Sequence, residues 1–393
     1  MEPKNSDRSE HGFKRIFLFG GCFILLPSYV LHHYLNLDIN LLYATFSIAS
    51  LIACISGTRL FLPRGLINII LVINFIGGMG SLLAGVYSQM LMAISLSINL
   101  FIAFTGFRIF KDHKSLTQLS LVALAIVFGA VIGLLYAYTG GTPLAEIDLY
   151  GRMSYFYLST FTNSVTGNLI RPAGIFDEPG ALAMYVTLIV IINEALRVNA
   201  KFSLLLLIAG LASGSFALLF IFAAYVILKF RDKSKIASVA IGITLVTFFI
   251  LNDTALAISD QFFFNRLEIQ DGRLVGDNRT HQIEFFIENV NWDMAIHGQK
   301  ALGGDFGVYD VSSNPFSVFY SYGLLIWLPY LALEIWLLYC AFFYRPHLRF
   351  PALALFLTLL QRPYLYNMHW GMPIMIAAVA IYHAQRASKD IRR

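Results

Sequence analysis

Charge is what this sequence has least of. Only 13% of its 393 residues are charged, against about 25% in soluble globular domains, and 58% are hydrophobic, so water is not its main solvent. Cysteine is nearly absent as well. Cys22, Cys54 and Cys340 all lie in apolar stretches, which argues against a disulfide framework or a thiolate metal site and makes them small buried hydrophobes. There is no His-x-x-x-His, no EF-hand loop and no Asp-x-Asp, so neither a metal nor another cofactor is expected. No basic stripe is interleaved with aromatics, which excludes a nucleic-acid partner and assigns the net charge of +5 to anchoring at an anionic membrane leaflet. Internal repeats are missing too, which counts against transporters built from paired halves.

What the chain does have is apolar runs of a length that crosses a hydrocarbon core. They lack the alternation of barrel strands, so a helical bundle is the architecture that leaves no backbone group unpaired in lipid. The expectation is an all-α polytopic membrane protein, one integral domain over 1–393. About twelve transmembrane helices are predicted near 16–34, 41–55, 66–86, 90–107, 119–138, 180–193, 202–211, 216–228, 236–251, 316–343, 351–360 and 368–383. Residues 1–10 are polar and no small-residue cleavage signature follows, so the first span is expected to be retained. The spans at 202–211 and 351–360 are shorter than a membrane, as helices bordering a cavity or re-entrant site are.

With the N-terminus placed in the cytoplasm, 21 of the 28 basic residues fall on that side, the asymmetry expected of this orientation. Both termini are then cytoplasmic, 139–179 forms a periplasmic segment and 252–315 a large periplasmic loop. Six of the seven remaining basic residues are arginines: Arg152, Arg171, Arg266, Arg273, Arg279 and Arg362. A planar guanidinium binds phosphate bidentately, so arginines at outer helix ends suit a lipid-linked pyrophosphate. Ion pairing with Glu268, Asp271 and Asp277 is the plain alternative for Arg266, Arg273 and Arg279. Arg171 opens a turn-rich passage ending at Asp177-Glu178-Pro179-Gly180, and the two acids there could simply cap the following helix. Glu194 and Arg197 read as a helix-surface pair. Glu334 reads as hydrogen-bonded within the bundle, and the glycines from Gly77 to Gly85, with Gly129 and Gly133, as sites of close helix packing.

The pattern Arg171-xx-Gly174-x-Phe176-x-Glu178-Pro179-Gly180 resembles a motif of bacterial O-antigen and capsule polymerases of the Wzy type. The turn Leu211-Ala-Ser213-Gly-Ser215 is similar to the serine-rich turn of that polymerase and ligase superfamily. Residues 252–315 resemble its large periplasmic loop, through Arg279, Gly303-Gly304-x-x-Gly307 and Ser313-Asn314-x-Phe316. O-antigen ligases carry a His-Asn pair where this chain has Ser313-Asn314, which favours the polymerase. The resemblance implies a bundle like that of C-type glycosyltransferases, in a bacterial inner membrane with a periplasmic site and no cofactor. It implies a glycosyl transfer in which a hydroxyl of one polyprenyl-pyrophosphate-linked oligosaccharide attacks the anomeric carbon of another. Membrane lipids and a chain-length regulator are the partners implied. In that reaction Arg171, Arg279 and Arg362, in that order, and then Arg273 and Arg266, would stabilise the departing pyrophosphate. Glu178 would accept the proton, with Asp177 and His281 as substitutes. An O-antigen ligase and a flippase of lipid-linked oligosaccharides are the competing readings.

Overall fold

The structure is a computed structural model that describes residues 17–55, 64–85, 87–149, 152–166, 169–229, 269–270, 273–274, 288, 290–298, 315–367 and 369–390. The predicted span at 236–251 lies outside them. After a π-helical turn, Gly21–Leu25, come α1 (Tyr29–Tyr34), α2 (Ile39–Ile55), α3 (Arg64–Ala84), α4 (Ser88–Phe110) and α5 (His113–Tyr138). A strand-rich segment follows: β1 (Ala145–Leu149), β2 (Arg152–Tyr157), β3 (Thr160–Thr162), β4 (Val165–Thr166) and β5 (Leu169–Ile170). The helices resume with α6 (Pro179–Leu196), α7 (Ala200–Gly210), a 3-10 turn at Leu211–Ser213, and α8 (Phe216–Lys229). The late loop contributes a hairpin of β6 (Ile269–Gln270) and β7 (Arg273–Leu274), then α9 (Trp292–His297). The chain continues through α10 (Ser317–Phe343), α11 (Pro346–Gln361), a 3-10 turn at Tyr364–Tyr366, and α12 (Gly371–Asp390).

This is a helical membrane protein. Among the described residues, five helices are long and apolar enough to cross a membrane: Gly65–Leu83, Ser88–Phe107, His113–Tyr138, Pro179–Leu196 and Ser317–Phe343. Residues at the helix starts fix where they begin: Asp112 accepts a hydrogen bond from the Ser115 amide at the start of α5, and Pro179 and Pro346 open α6 and the shorter α11, where a missing N–H costs nothing. Helix α6 is the hub. Nearly every one of its residues is buried, packed by α7, α11 and α12. By contrast α3 leaves Phe75 70% and Leu82 80% exposed, an apolar face that water would penalise and lipid would not. Helices α3 and α4 come close because Gly77 and Gly80 stand where a side chain would run into Ala93 and Gln89.

Three features depart from the sequence expectations. The first span, 16–34, is broken by the π-helical turn and Pro27 before α1 begins. The span at 316–343 is kinked at Gly323, whose φ of 79° and ψ of 176° lie outside the helical region and suit glycine. The molecule is also not purely α-helical. β1, β2 and β3 form an antiparallel sheet with Tyr155 opposite both Glu146 and Thr162. The run Met153-Ser154-Tyr155-Phe156-Tyr157 alternates faces in a strand. One face buries Ile147 and Phe161 against Val30 of α1, while Tyr157 and Ile170 pack with Ala137 of α5. Gly133 lets this layer approach, since a Cβ there would lie 2.7 Å from the Tyr157 carbonyl. The small residue at Gly133 thus admits a strand turn, not another helix.

Polar contacts gather at two ends of the bundle. At one end Thr117 donates to Asn199 (3.0 Å), Phe107 stacks on His383 at 4.0 Å, and Lys229 pairs with Glu194. Glu194 also accepts from the Tyr225 hydroxyl at 3.2 Å. The expected partner, Arg197, has left the helix in a left-handed conformation with φ 57°, so the acid of α6 is held by α8 instead. Glu334 is buried on α10, one turn beyond Tyr330, whose hydroxyl donates to the Leu359 carbonyl of α11 at 2.8 Å.

Candidate active site

Four loops meet at the opposite end, and hydrogen bonds knit them. Ser28 donates from Oγ to the Ile175 carbonyl (2.7 Å), joining the break in the first span to the loop before α6. His369 donates from Nδ1 to the Leu26 carbonyl (2.9 Å) and stacks on His32 with ring centroids 5.4 Å apart. Phe176, fully buried, touches Tyr185 and Trp370 at centroid distances of 5.0 and 5.8 Å. The aromatic of the motif is therefore a peg holding the acidic loop on the helix ends.

Arg171 follows β5. Its guanidinium donates from Nη2 to the Gly214 carbonyl (2.9 Å) and from Nε to the Ser213 carbonyl (3.3 Å). The chain can offer those carbonyls because Gly214 has φ 59°, which ends the 3-10 turn and reverses the hairpin between α7 and α8. The short helix α7 ends at this turn. The Arg171 carbonyl is itself fixed by the Thr162 hydroxyl at 2.6 Å.

Glu178 stands at the N-cap of α6 with extended backbone, φ −144° and ψ 152°, yet its side chain makes no capping bond. The capping explanation for this acid thus fails, and its carboxylate instead pairs with Nη1 of Arg362, at the end of α11. The arginine is almost wholly buried, while Glu178 keeps 25% of its side-chain surface exposed. Gly180 makes the pairing possible, because a Cβ there would collide with the Arg362 guanidinium. The Tyr364 ring lies 5.5 Å from that guanidinium, and Asp177 adds its field. Burial works against the charge on Arg362, but Glu178, Tyr364 and Asp177 outweigh it and raise its pKa above the ordinary arginine value. Nε of Arg362 has no hydrogen-bond partner among the described residues.

The structure thus brings together Glu178, Asp177 and Arg362, and places Arg171 in the same loop, anchored on the serine-rich turn. Arg171 is engaged with backbone carbonyls, whereas Arg362 holds the acid. Arg273 lies in β7, paired with Gln270 across the hairpin. Arg266, Arg279 and His281, and the Gly303 to Asn314 part of the late loop, lie outside the described residues. Sequence reasoning missed the His32 and His369 pair, whose two residues come from opposite ends of the chain. No group of three or more histidine, cysteine or acidic residues placed to hold a metal occurs among the described residues.

Comparison with known proteins adds no relative: no family model, no curated protein and no solved structure matches this chain.

Proposed function

We propose that this protein is a polysaccharide polymerase that joins polyprenyl-pyrophosphate-linked oligosaccharide repeat units by glycosyl transfer. In this reading it crosses the bacterial inner membrane about twelve times, with both termini cytoplasmic and the four-loop end periplasmic. The observation that carries it is the Arg362 and Glu178 pair. A buried, permanently charged guanidinium keeps an Nε–H donor with no partner among the described residues beside a partly reachable carboxylate, at the mouth of the hub helix. Meeting a multiply charged leaving group and accepting a proton from a hydroxyl require those two groups side by side.

In the reaction, the acceptor hydroxyl oxygen forms a bond to the anomeric carbon of the donor sugar. The bond from that carbon to the pyrophosphate oxygen breaks, and the electron pair leaves with the polyprenyl pyrophosphate. Glu178 takes the hydroxyl proton. Arg362 orients Glu178 through one N–H and meets the phosphate through another, while Arg171 fixes the loop that carries the acid. Asp177 keeps Arg362 in place.

The test is the ladder of surface glycan on a gel, from cells lacking the gene and complemented at matched membrane levels. Wild type restores multi-repeat bands, whereas Glu178→Ala and Arg362→Ala give single-repeat products only. A deletion strain that keeps its ladder would sink the polymerase reading, and full ladders from both variants would sink this site.

A further inference from the structure

Beside Arg171 the sheet and the β4–β5 hairpin enclose an open cleft of about 670 Å³, lined by Met153, Tyr155, Asn163 and Val165. We propose that this cleft binds the sugar chain of the acceptor, and that it takes neutral or amino sugars in preference to acidic ones. The proposal rests on the polymerase reading for its occupant. It rests on the cleft itself for the chemistry.

The lining combines what a sugar ring needs. Met153 and Tyr155 are two apart on β2 and so share one face of the sheet. Tyr155 is steadied from beneath by the buried cluster of Ala137, Tyr157 and Ile170, which leaves a ring fixed as an apolar platform with a polar tip. Asn163, just past β3, offers an amide that can donate and accept at neighbouring hydroxyls. The volume falls within the range of about 300–1,000 Å³ typical of small-ligand sites, and its openness suits a chain that must enter and leave.

Charge decides which substrate part belongs there. Glu146 faces Tyr155 and Asp148 faces Met153 across the β1–β2 ladder, so both exposed acids share the cleft's face and can accept hydrogen bonds from hydroxyls. Directly opposed residues lie close enough to interact. The exposed Glu146 carboxylate on this face disfavours a pyrophosphate or a uronic acid. Among the described residues the lining contains no lysine or arginine. The donor's phosphates therefore belong near Arg362 and the acceptor's sugars on the sheet. Continuity is supplied by the backbone: the Arg171 amide donates to the Ser164 carbonyl at 3.1 Å, one residue from Asn163.

The test uses the purified full-length protein in detergent and calorimetric titration. The probes are the repeat-unit oligosaccharide freed of lipid from the host's surface polysaccharide by mild acid, and tetragalacturonic acid as the acidic counterpart. Wild type binds the repeat unit and binds tetragalacturonic acid at least tenfold more weakly. Tyr155→Ala and Asn163→Ala each weaken repeat-unit binding at least fivefold, and Tyr155→Phe retains it within twofold. Val165→Trp, at a position already 37% exposed, fills the cleft and also abolishes binding, which covers the case in which Tyr155→Ala fails to fold. Glu178→Ala binds like wild type although it makes no ladder. Cleft variants that bind as wild type does, or a wild type that does not bind the repeat unit, overturn the proposal whatever the ladder shows. Binding lost in the cleft variants alongside a ladder that survives gene deletion would leave the sugar site standing and remove the polymerase.

Discussion

Arg171 donates to the Gly214 carbonyl at 2.9 Å, and this bond ties together two segments whose motifs are separated by more than a whole helix in sequence. The guanidinium neutralises carbonyls that a turn in the left-handed region would otherwise leave bare at the end of a short helix. Arg171 is therefore a positioning residue for the loop carrying Asp177 and Glu178, and in the proposed reaction the contact with phosphate falls to Arg362.

A fork that spans two carbonyls cannot be replaced by a point charge. Arg171→Lys is expected to keep part of the loop's order but to shorten the glycan ladder, and Arg171→Ala to destabilise the protein by about 2 kcal/mol, the scale of a hydrogen bond from a charged donor. Thermal unfolding in detergent, run beside the ladder assay, checks both. A stability equal to wild type in Arg171→Ala would mean that Phe176, Ser28 and Thr162 hold the loop without the guanidinium.

Gly180 is already helical, so alanine there would ordinarily raise helix stability by about 1 kcal/mol. Here its methyl would occupy the space of the Arg362 guanidinium. Gly180→Ala is expected to abolish the ladder as completely as Arg362→Ala does, with the protein still present in the membrane. A wild-type ladder from Gly180→Ala would show that Arg362 can work from another position.

Removing one partner of a largely buried pair leaves the other charge uncompensated, at a cost of about 3–5 kcal/mol. Arg362 is the more buried of the two, so Glu178→Ala should destabilise more than Arg362→Ala. The double variant should be more stable than the sum of the single changes by about 1–3 kcal/mol, while remaining inactive. Additive stabilities in this cycle would show that the pair contributes nothing to folding.

Hydropathy made the five long apolar helices legible, because lipid demands such helices whatever their partners. The motif singled out Arg171, Asp177 and Glu178, and the count of arginines on the side with few basic residues singled out Arg362. What the sequence did not disclose was pairing. Nothing local marks Arg362 as the partner of Glu178, or Lys229 as the partner of Glu194, since each contact is made by helices that pack only in the folded bundle. The strands of 145–170 were also missed: a short run rich in tyrosine and phenylalanine between spans reads as interface, and only its alternation of Ser154 with Tyr155 and Phe156 could have suggested a pleated surface.

Gln89 carries the last prediction. Its Nε2 donates to the His297 carbonyl (2.7 Å) and to the Tyr322 carbonyl (2.8 Å), one at the end of α9 and the other just before the kink of α10. Gly298 and Gly323 lie against each other there, with the backbone of one within 3.0 Å of where a Cβ of the other would sit. The helix of the late loop is thus seated in the break of a long helix, with α4 holding both. Gln89→Leu keeps the side chain's bulk but removes the donor to two part-buried carbonyls, at about 1 kcal/mol each. Hydrogen exchange should quicken in 292–298 and around 320–324, with α6 unchanged. The ladder should shorten, not vanish, because the acid and arginine of the site remain in place. Unchanged exchange in both segments would mean that the glycine contact alone seats the loop.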